Sequence, residues 1–571
     1  MDSCKATDFV SWTLTCETEE KDKPLLIDAA NPSRYLTFNK LRTVVRQLIA
    51  GLKSQGIQPG DCVCINSFND IFFTAVYLGV VGAGARFTGV NPAYTTPEMT
   101  HHLKLTQAKL IIAQPSLLGV TIAAAKICGI PRSAIFVFDV GEVDTDSGIR
   151  SWQALLRHGE SDWVSVEDPA ATVAVYSSTS GTSGLPKMAM LPHTYLVSQA
   201  ALRRSPPNLS YSSIRLLCLP QFHAFATPLV PASIRYGDPI YIMRRYQPAQ
   251  FVESIAKYQI TETYVAPPVL IGLPKSPLCT KEAMQSIRQI WTGGAGIKYS
   301  NTLPMYSHLH PDARIAQVWG MTEVGWVTEM PYPELSQDDS IGRLLPGFDV
   351  KVVDDDNNIL TQDNEVGELV IKAPAPMLGY LGNKKSTDES VDSEGWLYSG
   401  DIGYRCQGKW FVVDRKKDLI KVRAWQVSPG EIESVLLLHP HIIDVGVIGV
   451  GLLNGQDEIP KAFVVVRPGC ELNEKEVKDF ARKSLANYKI PQEVVFTDAI
   501  PRNPTGKILR RILKAESEGS VDEGVAKTWV ESDEKNDPKW GMRMLQWTVE
   551  TARKKVRAGL RWGVRCYGSK E

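Results

Sequence analysis

Thr179-Ser180-Gly181-Thr182-Ser183-Gly184-Leu185-Pro186-Lys187 follows directly on the apolar run Ala171 to Tyr176. The pattern predicts a strand that delivers a glycine- and hydroxyl-rich loop ending in a cation. Glycines let the backbone turn its N–H groups inward and approach a ligand closely, hydroxyls add donors, and an ammonium balances negative charge, so such a loop is suited to phosphate. The same composition also builds ordinary surface turns, and context must decide between the two. A P-loop would need Gly-Lys followed by Ser or Thr, but Lys187 lies between Pro186 and Met188. The other glycine pattern, Gly449-Val450-Gly451-Leu452-Leu453-Asn454-Gly455, has one residue too many for a dinucleotide fingerprint and reads as a loop.

Upstream, helical periodicity from Phe38 to Gly51, a strand at Val63 to Asn66, a helix from Asp70 to Gly79, a strand at Ala85 to Val90, a helix from Pro97 to Leu105 and a strand at Leu110 to Ala113 give the rhythm of a doubly wound sheet. The rhythm returns downstream, with strands at Leu216 to Leu219, Pro239 to Met243, Thr263 to Ala266 and Gln289 to Thr292, and a helix at Pro248 to Tyr258. From Gly347 the texture becomes all-β, with strands at Asp349 to Val353, Gly367 to Ile371, Trp396 to Ser399 and Trp410 to Val413. Past Asp414 an α+β pattern follows, with helices at Pro429 to Leu438 and Glu474 to Leu485 and strands at Val445 to Ile448 and Lys461 to Val466.

The 571 residues exceed what one core usually organises, and 43% hydrophobic with 22% charged residues is ordinary for a globular chain. Lys+Arg and Asp+Glu both number 63, so no general basic field would attract nucleic acid. The ten cysteines are scattered without zinc-ligand spacing and read as reduced thiols. With an acidic, polar start, no spanning apolar run and no Ser-Lys-Leu terminus, the expectation is a cytoplasmic protein without a signal peptide or transmembrane helix.

Further segments extend the pattern in a fixed order: Tyr35-Leu36-Thr37-Phe38, Val90-Asn91-Pro92 with Glu98, Leu219-Pro220-Gln221-Phe222-His223, Trp319-Gly320-Met321-Thr322-Glu323, Tyr398-Ser399-Gly400-Asp401, Asp414 to Lys421, and Pro501-Arg502-Asn503-Pro504-Thr505-Gly506-Lys507. Together with the Thr179 loop they resemble the motifs of the acyl-adenylate-forming (AMP-binding) superfamily, and most nearly those of 4-coumarate–CoA ligase-like acyl-CoA synthetases. The resemblance implies an α/β fold: a large N-terminal domain of two α/β subdomains plus a β-barrel-like subdomain, then a small mobile α+β C-terminal domain. Boundaries are expected at 1–414, 415–515 and 516–571. It also implies an acid–thiol ligase that adenylates a small carboxylic acid with ATP and Mg2+ and passes the acyl group to CoA, or to a carrier-protein phosphopantetheine or another acceptor. Oligomeric state is not legible.

By the same resemblance, Thr179, Ser180, Gly181, Thr182, Ser183, Gly184 and Lys187 hold phosphate, Thr322 meets it, and Glu323 is the Mg2+ carboxylate, with helix capping as its competing role. Gly293, Gly294, Ala295, Trp319 and Gly320 frame adenine. Asp401 is suited to the ribose hydroxyls with Arg415 beside it, a structural salt bridge being the alternative. Lys507 bridges the carboxylate and the α-phosphate, where a preorganised cation stabilises developing charge. His223 gates an acyl pocket lined by Phe225, Trp291, Val318, Trp319 and Trp326, or these residues are plain core. Bulky aromatics suggest an aryl or medium-length acid. Lys417 is the expected hinge, and Lys421 and Gln426 match residues that touch AMP or the carboxylate.

Two residues depart from the family pattern: Met188 replaces a glycine after the loop lysine, and Arg423-Ala424 stands where Lys-Gly is typical beside the pantetheine channel. The run from Glu516 to Asp537 reads as a mobile linker. Beyond it, residues 540–570 carry Arg543, Arg553, Lys554, Lys555, Arg557, Arg561 and Arg565, with Leu545, Val549, Ala552, Val556 and Leu560 at helical spacing. That pattern fits a basic amphipathic helix, resting peripherally on an anionic membrane or docked on the protein body or a partner.

Overall fold

The computed structural model describes residues 7–139, 148–179, 186–205, 209–422, 425–451, 458–503 and 506–518, with backbone alone at 425 and 426. The chain divides into two units. One takes the described residues of Met1–Lys417 and of Arg502–Lys507, the other those of Asp418–Pro501 and Ile508–Glu571.

In the first unit, a six-stranded sheet runs in the order Ile135–Val137, Ala108–Ala113, Cys62–Asn66, Arg86–Val90, Val173–Ser178, Met188–Pro192. All neighbours are parallel except the last pair. Every residue of Cys62–Asn66 is buried, as a strand covered on both faces requires. The helix Phe38–Ser54 buries Leu41, Val45, Leu48, Ile49 and Leu52 along one stripe. Its N-cap is Thr37, whose hydroxyl accepts from the Lys40 N–H, a bond of about 1 kcal/mol. Glu98 likewise acts locally, closing a capping box with Thr95 at the start of Thr96–Thr106. The helix expected from Asp70 begins at Phe73, because the Asp70 carboxylate accepts from the Phe72 N–H and is clasped by Arg34 at 2.7 Å.

The antiparallel final pair reveals how the opening motif is built. The chain leaves the sheet after Ser178 and returns at Met188, and the Thr179 N–H donates to the Lys187 carbonyl at 2.8 Å, which closes the neck of the connection. Met188 then enters a strand with its side chain buried in an apolar cluster, so the departure from glycine is absorbed by packing. Outside this edge strand lies the short stretch 378–381: Leu378 N–H donates to Met190, Met190 N–H to Gly379, and Leu381 N–H to Met188.

A nine-stranded sheet follows, ordered Arg343–Leu344, Gly325–Glu329, Arg314–Met321, Gln289–Gly293, Glu262–Val265, Arg215–Leu217, Ile240–Ile242, Leu26–Asp28, Tyr35–Leu36. Glu262–Val265, Gln289–Gly293 and Arg314–Met321 are mutually parallel, so their carboxyl ends share one edge, where open α/β sheets bind ligands. The chain then reverses through a tight turn at 322–324 into Gly325–Glu329. A third, antiparallel sheet orders Ile359–Leu360, Asp349–Val353, Gly367–Lys372, Leu397–Cys406, Lys409–Arg415 and pairs Asp401 directly with Arg415.

The second unit contains the hairpin Ile420–Val422 and Trp425–Val427, and a sheet of Ile442–Gly451, Glu458–Val466 and Glu493–Phe496. Helices Pro429–Leu436 and Glu474–Arg482 pack on these strands around Ile432, Leu436, Val447, Val464 and Val477. Here one expectation is corrected. Gly449 to Gly451 are not loop but the end of a ten-residue strand, because Pro460, Ile459 and Glu458 pair with them across the hairpin. Residues 452–457, Arg423-Ala424 and the 519–571 tail lie outside the described residues. Among the described residues, no helix is long and apolar enough to cross a membrane.

Candidate active site

Trp319 and Gly320 end the strand Arg314–Met321, while Asp401 lies on a strand of the third sheet, 82 residues away in sequence. The Trp319 indole N–H donates to Asp401 Oδ2 at 2.7 Å, and Arg415 Nε meets Oδ1 at 3.0 Å. The carboxylate is buried, with one donor on each oxygen. The salt bridge is therefore real, yet an ionised carboxylate has about four lone-pair sites and retains capacity for hydroxyl donors. Gly293 closes the neighbouring strand: a Cβ there would lie 2.7 Å from the Val318 carbonyl. Gly294 follows with φ +86°, and it, Ala295 and Gly296 are exposed. Three small residues thus leave a flat, open backbone shelf beside Trp319.

Glu323 sits in the turn after that strand, not on a helix, which removes the capping alternative. The turn is held from behind by one face of the helix His193–Ala201. Tyr195 Oη donates to the Thr322 carbonyl at 3.0 Å, and the Gln199 side chain donates to the Val324 carbonyl at 3.2 Å and accepts from the Trp326 N–H at 2.8 Å. On the other side the Met377 N–H donates to the Glu323 carbonyl at 2.8 Å, and Tyr380 Oη donates to Glu323 Oε1 at 2.7 Å. The ring of Tyr380 carries Lys187 Nζ at 4.8 Å from its centroid. Burial, and then the Glu323 charge, push the Tyr380 phenol well above its usual range, so it stays a donor.

Among the described residues, no cluster of three or more His, Cys, Asp or Glu side chains could cage a metal ion. The buried Glu323 carboxylate, whose partner Tyr380 also meets Lys187, does fit Mg2+, which is commonly held by one or two carboxylates with phosphate oxygens and water.

The aromatic residues form a continuous wall. Phe225 and Trp326 pack at 4.9 Å, Tyr264 and Trp291 stack at 4.8 Å, and Tyr264 meets Trp326 edge-on at 6.4 Å. Trp326 is almost fully buried, with its indole N–H on the Phe225 carbonyl and Arg203 over its face, so it backs the wall. Phe225 also reaches the strand end at Gly293, its ring 3.6 Å from where a Cβ would stand. The segment Arg502–Lys507 belongs to this unit, with Gly506 against Ala266 and Pro268. Enclosure, and next the Lys507 charge, lower the His223 imidazole to about 4, which keeps it neutral. Its Nδ1 accepts from the Phe225 N–H at 3.3 Å.

Sequence reasoning missed Tyr195, Gln199, Tyr264 and Tyr380. Each is brought to the site by tertiary pairing, and none belongs to one of the sequence motifs. Ser180 to Gly184 lie outside the described residues, as does the side chain of Gln426. Lys421 is exposed in the second unit, opposite Gln426 in a hairpin, and Lys417 is the last residue of the continuous stretch of the first.

The AMP-binding enzyme family matches residues 14–381, and its C-terminal domain matches residues 431–507. The chain belongs to the AMP-binding enzymes. Among their curated members it is 41% identical over 520 residues to phenylacetyl-CoA ligase epaB of Aspergillus niger, covering 89% of this chain and 96% of that protein. It is 34% identical to 4-coumarate–CoA ligase 2 of Nicotiana tabacum, covering 87% and 92%. In fold, this AMP-binding enzyme is similar to the anthranilate CoA ligase AuaEII, solved with anthranoyl-AMP, at a TM-score of 0.80 and 21% identity, covering 90% of this chain and 98% of that one. The two curated relatives are CoA ligases matched over nearly their whole length.

Proposed function

We propose that this AMP-binding enzyme is an acid–CoA ligase that consumes ATP and releases AMP and pyrophosphate. The observation that carries the reading is the convergence, within one unit, of Lys187, Glu323, the Trp319–Asp401–Arg415 chain and the Lys507 segment, in a chain 41% identical to a phenylacetyl-CoA ligase.

In the first half-reaction an acid carboxylate oxygen attacks the ATP α-phosphorus and pyrophosphate leaves. Lys507 offsets the charge that gathers on the carboxylate and α-phosphate oxygens, and Lys187 faces the departing phosphates. Asp401 receives the ribose hydroxyls, and adenine rests on the exposed Gly294-Ala295 backbone just past Gly293. Mg2+, when bound at Glu323, neutralises phosphate charge. In the second half-reaction the CoA sulfur attacks the acyl carbon of the adenylate and AMP leaves. The apolar wall of Phe225, Tyr264, Trp291 and Trp326 supports a flat aryl or arylacetic acid over a long flexible chain. The hinge is assigned to Lys417, at the end of the first continuous stretch.

The test is acid-dependent exchange of labelled pyrophosphate into ATP across a panel of aryl, arylacetic and aliphatic acids, followed by mass-spectrometric detection of the CoA thioester. Exchange is expected with aryl acids first. Absence of exchange with every acid overturns the reading.

A further inference from the structure

The stretch 378–381 touches both the return strand of the phosphate-loop segment and, through Tyr380, the turn of Glu323. Tyr380 faces Ala189 in an isolated antiparallel bridge, and its N–H donates to Thr387 Oγ1 at 2.9 Å. Gly379 sits at φ +119°, with its absent Cβ 2.9 Å from Thr387, so the backbone before the tyrosine is fixed in a conformation that favours glycine. The aromatic ring is buried, its face is turned to Lys187 Nζ, and its hydroxyl is committed to Glu323, with Ser390 bonding the same phenol.

We infer that Tyr380 is a positioning residue that couples the two charged groups of the triphosphate site: its ring holds the Lys187 ammonium and its hydroxyl holds the Glu323 carboxylate, the group that would take a divalent cation, in one orientation. This rests on the acid-activation reading above. The two contacts have separable physical origins. The cation–ring attraction depends on the π face and survives loss of the hydroxyl, whereas the carboxylate bond depends on the hydroxyl alone. A structural tyrosine would show no such separation.

Mn2+ binding to the full chain saturated with α,β-methylene-ATP, followed by the electron paramagnetic resonance signal of free Mn2+, reads the carboxylate without turnover. Tyr380→Phe is expected to weaken Mn2+ about tenfold, the worth of one hydrogen bond to a charged acceptor, and to leave metal-free analogue binding within about twofold. Tyr380→Leu is expected to weaken both. In a Glu323→Gln background the Tyr380→Phe change should add nothing, because its target charge is gone. Unchanged or tighter Mn2+ binding by Tyr380→Phe overturns the inference, and so does an equal loss in the Glu323→Gln background. A wild-type chain that fails to bind the nucleotide analogue at all would instead sink the acid-activation reading.

Discussion

Replacing Gly320 with alanine tests whether the strand-end turn is the part of the site that must not move. A Cβ at position 320 would lie 2.1 Å from the Gly325 carbonyl oxygen and 2.9 Å from Trp326 Cα, both backbone atoms of the partner strand. Backbone cannot rotate aside, so relief requires the two strands to part by roughly 1 Å, and Thr322 and Glu323 ride on the turn that joins them. Overpacking of this kind costs about 1–3 kcal/mol, which the large domain tolerates. A displacement of about 1 Å at positioned groups, in contrast, costs on the order of 10²-fold in rate. Gly320→Ala is therefore expected to fold, to melt a few degrees lower, and to lose about 10²-fold in pyrophosphate exchange. Gly119→Ala is the control: it is exposed in the helix Leu118–Ile127 with nothing within 4 Å of its Cβ, and should gain about 0.5–1 kcal/mol with exchange unchanged. Near wild-type exchange by Gly320→Ala would refute the reasoning.

Acid sensitivity should come largely from buried imidazoles. Burial lowers His102 to about 4, and its ring bonds Thr88 Oγ1 at 2.9 Å while that hydroxyl donates to the Tyr176 carbonyl. The unfolded chain protonates this histidine near 6.5 and the folded one near 4, so stability falls as pH drops through that window, by up to about 3 kcal/mol. His193 and His223 act in the same direction, while Asp70, pushed up to about 6, takes its proton first in the folded state and opposes them. His102→Asn should flatten the change in urea midpoint between pH 7 and pH 5, and an unaltered slope would remove His102 from this account. Trp319→Phe takes one donor from Asp401 and leaves Arg415, so a loss of about 1.5–3 kcal/mol should appear mainly as a raised KM for ATP. An unchanged KM for ATP would separate Trp319 from the nucleotide site.

Elements with strong local chemistry are legible without coordinates. The helix Pro248–Tyr258 has the bounds its sequence predicts because proline presets its first turn, and Asp349–Val353 does because alternation marks a half-buried strand. The strand Leu26–Asp28 is not legible, since three residues carry no periodicity and it exists through pairing with Ile240–Ile242. Gly449 to Gly451 look like loop because glycines weaken a strand signal, and only the facing Glu458–Val466 strand fixes them. The site divides along the same line. Glu323, Asp401 and Lys507 stand in dense motifs, whereas Tyr380 and Gln199 acquire their positions from sheets and helices distant in sequence.

The strip at 378–381 also bears on how this chain behaves among its neighbours in a crowded solution. Met188–Pro192 is the last strand of its sheet, and its outward N–H and C=O groups would otherwise be a template for another chain. Three hydrogen bonds with the strip occupy that border. The strip that carries Tyr380 against Lys187 and Glu323 therefore also guards against edge-to-edge aggregation, so a change at Gly379 would disturb the covered edge and the candidate site together.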